Sequence, residues 1–223
     1  MARIALRQVI AKLEAMYGSP KAPPADPWTN ILAEIVVYLA DDDRRSQALA
    51  TLKNKVGLRP EAIAAALDEP LMEATRFGIM PESRVEKLRK CAQIALEQFD
   101  GDVKQVADWP EAKALRALQR FPGIGRPGAE KLLLFARKRA GLPLESNGHR
   151  VLARIGFGAE AKDYAATYRL VQNAITPELP PDFDWLIAAH QLVRTHGQET
   201  CKNSKPKCSE CQLAKDCQFA NES

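Results

Sequence analysis

Cys201, Cys208, Cys211 and Cys217 are separated by six, two and five residues, close enough for four thiolates to converge on one centre within a short loop. Soft sulfur donors of this kind hold zinc or an iron–sulfur cluster. Zinc held by four thiolates is common. Zinc ribbons, however, usually place two Cys-x-x-Cys pairs on separate knuckles, and Cys208 with Cys211 is the single such pair here. A secreted disulfide scaffold would distribute its cysteines to close loops along the fold, so the clustering points to metal. Cys91 stands apart on a helical pattern and reads as a buried apolar residue.

A second candidate lies in Leu115–Leu134, which reads as helix, tight hairpin, helix, with the hairpin at Pro122-Gly123-Ile124-Gly125. Two glycines let the backbone turn without a Cβ penalty and bring N–H groups toward a ligand, while Ile124 plugs the gap between the helices. The N–H groups that open the second helix suit an anionic oxygen. Such a site grips a nucleic-acid backbone without reading its sequence. The same pattern also serves as a plain reversal between helices.

Charge favours the first of these readings. The whole chain has a net charge of only +4, but between Lys113 and Arg154 ten basic residues stand against Glu130 and Glu145, a local net of +8. No apolar run approaches the roughly 20 residues needed to span a bilayer, and the Met1 end lacks an apolar signal core. A cytoplasmic, nucleoid-associated protein with no membrane partner is expected.

The elements that must position these residues read as helices throughout. Leu6, Ile10, Leu13 and Met16 recur at helical spacing before a Pro-rich connector, and Ile31, Ile35 and Leu39 share one face. The spacing predicts further helices at Pro60 to Leu67, Glu82 to Phe99 with Ser83 as cap, Glu111 to Gln119, Gly128 to Ala140, Gly148 to Ile155, Ala161 to Asn173 and Phe183 to Thr195. Alternating strand patterns are absent, and Ala and Leu dominate, which favours an all-α architecture.

Taken together, the hairpin Phe121 to Gly125 and the Cys-x6-Cys-x2-Cys-x5-Cys loop resemble the helix-hairpin-helix DNA glycosylases of the endonuclease III and adenine glycosylase type. Softer similarity runs from about Asp26 to Cys217, including Gly78 to Val103, Asn147 to Arg154, Trp185-Leu186-Ile187 and His196-Gly197. The resemblance implies an all-α, two-lobed fold with a DNA cleft. One lobe would be a helical barrel over 26–128 ending in the hairpin; the other would combine 1–25 with 129–223 and carry a [4Fe-4S] cluster on Cys201, Cys208, Cys211 and Cys217. It also implies a monomer that contacts double-stranded DNA through Gly123, Ile124, Gly125, Arg126, Gly128, Lys131, Asn147, Lys205 and Lys207, with Lys202 beside them.

Three positions depart from the family pattern. Lyase members carry a lysine directly after the Gly-x-Gly-Arg of the hairpin, where this chain has Pro127. Proline has no side-chain amine for a Schiff base, and its fixed φ fits the first turn of a helix. Lys131, one turn on, reads as a phosphate contact or a solvated residue ahead of a substitute nucleophile. The family's catalytic aspartate, five residues before an arginine, is matched by Glu145 in Glu145-Ser146-Asn147-Gly148-His149-Arg150. A carboxylate there can stabilise an oxocarbenium-like sugar or activate water; the plainer reading is a solvated or capping glutamate in a loop. The family's polar base-stack filler falls in Leu39-Ala40-Asp41-Asp42-Asp43-Arg44-Arg45, where Ala40 is too small to fill a vacated stack and three carboxylates repel phosphate. His149 and His190 read as ordinary helix residues. The expected function is a monofunctional DNA glycosylase of base-excision repair using Glu145. The alternative is a catalytically inactive DNA-binding iron–sulfur protein of the same fold, and a zinc-stabilised helical adaptor is the weaker third reading.

Overall fold

A computed structural model describes residues 3–38 and 40–222. Leu39, assigned above to the face of Ile31 and Ile35 and to the stack-filling stretch, lies outside them. In chain order the helices are α1 (Leu6–Tyr17), α2 (Pro27–Ile35), α3 (Asp42–Lys55), α4 (Pro60–Ala65), α5 (Asp68–Thr75), α6 (Pro81–Phe99), α7 (Glu111–Leu118), α8 (Arg126–Phe135), α9 (Ser146–Ile155), α10 (Tyr164–Ile175), α11 (Phe183–Glu199) and α12 (Gln218–Glu222). The described residues contain no strand, in agreement with the all-α expectation.

The chain divides into two compact units, Pro23–Lys138 and the pair Met1–Ala22 with Arg139–Ser223. The sequence division at residue 128 cuts through α8. In the fold Ala129, Leu132 and Leu133 of α8 share one apolar core with Ile31 of α2 and Leu88 of α6, so the boundary follows that helix.

In the Pro23–Lys138 unit, Asp26 caps α2 by accepting from the Trp28 and Thr29 N–H groups, and Pro27 opens the helix. Trp28 Nε1 donates to the Leu58 carbonyl at 2.6 Å, and its ring lies against Phe121, which stacks on Phe99. α6 begins at Pro81 behind a left-handed Met80, not at a Ser83 cap, because proline fixes the first turn. α8 ends at Phe135, short of the expected Ala140. Arg137 takes a left-handed φ of 57°, and the N–H groups of Arg137 and Lys138 close on the carbonyls of Leu134 and Leu133. This is the Schellman geometry, built here with arginine where glycine is usual.

In the other unit, α1 buries Leu6, Val9, Ile10 and Leu13 and packs on α11, which also packs on α9. Glu178 accepts the Leu6 N–H at 2.6 Å and pairs with Arg3. Lys12 meets Asp216 at 2.5 Å, so α1 is tied both to the apolar core and to the C-terminal loop. No helix of the described residues is long and apolar enough to cross a membrane.

Candidate functional site

The hairpin is a tight turn in which the Ile124 N–H donates to the Phe121 carbonyl at 3.0 Å. Pro122 and Gly123 occupy its centre, and Gly123 has φ +86°, a conformation side-chain-bearing residues adopt only under strain. A Cβ there would also press on Ile35 at 3.2 Å. Ile124 is buried in the core, whereas Gly123, Gly125 and Arg126 are exposed. No side chain caps α8, and a helix cannot satisfy its own first-turn N–H groups. The first-turn N–H groups next to the exposed Gly125 and Arg126 are therefore open to an anion.

The two cations that follow are each paired with a carboxylate. Arg126 pairs with the buried Glu130 at 3.1 Å while remaining largely exposed. Lys131 is held by Glu34 at 2.7 Å, with 14% of its side chain exposed. Pro127 lies in the first turn of α8, as its fixed φ suggested.

Glu145 is the N-cap of α9. Its Oε1 accepts from the Gly148 N–H at 2.9 Å and its Oε2 from Asn147 Nδ2 at 2.8 Å. Asn147 is oriented in turn by Arg150, whose Nη2 donates to Asn147 Oδ1 at 2.9 Å and to the Gly197 carbonyl at 2.8 Å. Gly197 makes this packing possible, since a Cβ there would stand 2.7 Å from that of Asn147. His149 points Nδ1 at the Glu145 carbonyl, 3.2 Å away, and sets its ring edge-on to Tyr164. Burial holds its pKa below the ordinary value, and nearby Arg150 adds to the shift. His190 is buried against the Pro143 carbonyl. Asp41 caps α3 by accepting from the Arg44 N–H, so the acidic run opens a helix, where its charge suits the dipole.

The four C-terminal cysteines line one small, mostly apolar cavity together with Ile155 and His196. None is in a disulfide. Arg150 Nε donates to the Cys201 carbonyl at 3.1 Å, and Arg154 reaches the Lys202 and Asn203 carbonyls at 2.7 and 3.1 Å, so α9 holds the start of the loop. The Leu213 N–H points at Cys211 Sγ at 3.4 Å. Burial, and then the other cysteines, push the Cys211 thiol up. His196 is lowered to about 4 by burial; its Nδ1 meets the Tyr17 hydroxyl at 2.9 Å and its Nε2 lies 3.6 Å from Cys211 Sγ. Lys205 and Lys207 are exposed on the same loop. Among the described residues no three His, Cys, Asp or Glu side chains meet closely enough to share a single metal ion.

No family model matches the chain. Endonuclease III of Escherichia coli strain K12 is 29% identical over 195 residues, covering 87% of this chain and 85% of that protein. Endonuclease III of Thermotoga maritima is 25% identical over 194 residues, covering 87% and 84%. Among solved structures, a non-covalent endonuclease III–DNA complex superposes with a TM-score of 0.75 at 18% identity, covering 98% of both chains. The chain resembles the helix-hairpin-helix DNA glycosylases of the endonuclease III type over nearly its whole length and shares their all-α fold. A thermostable thymine-DNA glycosylase has a TM-score of 0.73 at 15% identity, covering 98% of this chain and 97% of that one.

One exposed apolar feature is not marked by any motif in the sequence. Tyr38, Ile79 and Met80 are 45%, 47% and 57% exposed, and Met80 is held left-handed. The Ile79 N–H donates to the Tyr38 carbonyl at 3.1 Å, which clamps the ridge. Ile79-Met80 directly before Pro81 was the available signal, since two apolar residues outside any helical face have no core to enter.

Proposed function

We propose that this chain excises a base from double-stranded DNA by hydrolysis, with Glu145 as the carboxylate at the sugar and no lyase step. The observation that carries the reading is the fixed carboxylate, held at a helix N-terminus by the Gly148 N–H and the Asn147 amide. Donors on both oxygens hold its position, so its charge can oppose the positive charge that develops at C1′ as the glycosidic bond breaks. The exposed hairpin backbone would take a phosphate oxygen, and Lys205 and Lys207 would add to the grip. The exposed ridge Tyr38, Ile79 and Met80 suits an apolar wedge that fills space left by a flipped base, a part that Ala40 is too small to play.

The absence of a lyase step rests on two amines. Pro127 has none, and that of Lys131 is engaged by Glu34. A Schiff base needs a free neutral amine within bonding reach of C1′.

Cys201, Cys208, Cys211 and Cys217 would hold a [4Fe-4S] cluster. Support comes from four thiols without disulfides around one apolar cavity, with a main-chain N–H aimed at one sulfur. When bound, the cluster supplies a cross-link that fixes the loop carrying Lys205 and Lys207. Anaerobic preparation should yield iron and sulfide; stoichiometric zinc without iron would overturn the assignment.

The deciding experiment is a base-release screen over duplexes with different damaged or mismatched bases. At least one base should be released, and Glu145→Gln should abolish that release. The substitution removes the charge and sets a Gln amide against the Asn147 amide, which Arg150 prevents from turning. The binding-only reading is favoured by the three departures from the family pattern, at Pro127, Glu145 and Ala40. Release from no duplex, with binding retained, would establish it.

A further inference from the structure

The ten basic residues between 113 and 154 are not equally available. Arg126 pairs with Glu130, Lys131 with Glu34 and Lys138 with Asp108. Arg150 and Arg154 donate to main-chain carbonyls of the cysteine loop and its approach, and Arg137 and Arg139 are engaged as well. Lys113, Arg116 and Arg120 remain, and among the described residues no carboxylate pairs with any of them. Part of the positive surplus that the sequence spreads over about forty positions is thus gathered, without a carboxylate partner, on one face at α7.

Spacings of three and four residues align the three side chains, and all are exposed. Neutral groups orient the outer two. Lys113 Nζ sits 4.0 Å above the Trp109 ring, which is itself stacked on Phe99. Arg120 Nη1 donates to Gln98 Oε1 at 2.7 Å. Anchors without charge hold the cations in place and leave their field intact. Arg116, between them, lines a pocket of about 240 Å³ floored by Phe99 and Trp109. It also lines a neighbouring pocket that Arg126, at the hairpin, shares. Glu111 is the one carboxylate lining either.

We propose that this face is a phosphate track, continuous with the hairpin, for the nucleic-acid backbone flanking the stretch the hairpin grips; it rests on the DNA-binding reading above. Seven residues of helix cover about 10 Å, and a duplex carries about six phosphates in that length of its axis, at one per roughly 1.7 Å with both strands counted, so three cations in a row find phosphates within reach. The track reads charge and spacing, so its contribution is independent of sequence.

The test is the salt dependence of affinity for a fluorescein-labelled duplex of random sequence. Each phosphate neutralised contributes about 0.9 to the slope of log K against log salt. A triple variant, Lys113→Gln, Arg116→Gln and Arg120→Gln, should lower that slope by roughly 2 to 3, and Arg116→Gln alone, which breaks no contact, by about 1. Gly125→Glu, which places a carboxylate at the hairpin, serves as the comparison. An unchanged slope in the folded triple variant or in Arg116→Gln, while Gly125→Glu weakens binding, would overturn the track and leave the hairpin reading intact. A lower slope in the α7 variants with no effect of Gly125→Glu would support the track and overturn the hairpin. A wild-type protein that binds no duplex would overturn both.

Discussion

At the scale of single residues, the fold turns side chains that look alike in sequence to different uses. Glu145 and Glu130 are the two acids of the basic segment, yet one caps a helix with both oxygens engaged and the other is buried beside Arg126. His149 lies between Glu145 and Tyr164, half-buried, with a pKa lowered first by burial. Because the folded value lies below the ordinary 6.5, the unfolded chain takes up the proton more readily. Its share of stability is therefore complete above pH 6.5 and is lost as pH falls through the folded pKa. An NMR titration should give a His149 midpoint below 6.5, and a midpoint at or above that value would contradict the burial argument. Cys91 gives a second residue-level test. It is 0% exposed, and its thiol is pushed up to about 12 by burial, so iodoacetamide near neutral pH should leave it unmodified in native protein and alkylate it in denaturant. Peptide mapping that finds Cys91 modified in the native state would refute the packing described.

At the scale of elements, the hairpin is rigid because its first residue belongs to the core. Phe121 is 1% exposed and stacks on Phe99 with ring centroids 5.7 Å apart. Phe121→Ala should cost about 3–5 kcal/mol in denaturant unfolding; a loss under about 1 kcal/mol would show that the hairpin hangs free of the core. The residues that sequence reading found are those whose meaning is local. The Gly-x-Gly turn and the cysteine spacing need only neighbours along the chain, and both were legible. α8 was overrun because Arg137 adopts the left-handed stop that glycine normally signals. α5, which the spacing does not predict, carries Pro70 in its first turn, where its missing N–H costs nothing. Lys131 was read as a phosphate contact because its partner, Glu34, is 97 positions away. Arg150 likewise meets Gly197 and Cys201 across 47 and 51 positions. Such pairings exist only once helices pack, and no spacing rule in one helix contains them.

At the scale of the whole molecule, an endonuclease III-type fold carries Glu145 where the resemblance expects a catalytic carboxylate and Pro127 where it expects the lyase lysine. The function proposed from this combination is hydrolysis without strand scission. Net charge agrees with a local rather than a global attraction to DNA, since +4 over the chain conceals the +8 segment around the hairpin. The most direct measurement is a single-turnover reaction on the set of base-modified duplexes, with each sample divided and run on a denaturing gel before and after hot alkali. The strand should remain intact in the first half and break at the modified position in the second, because the base has gone and the sugar remains. Strand cleavage before alkali, accompanied by a borohydride-trapped adduct that disappears in Lys131→Ala, would show that this amine leaves Glu34 to act as the nucleophile and would contradict the hydrolytic account.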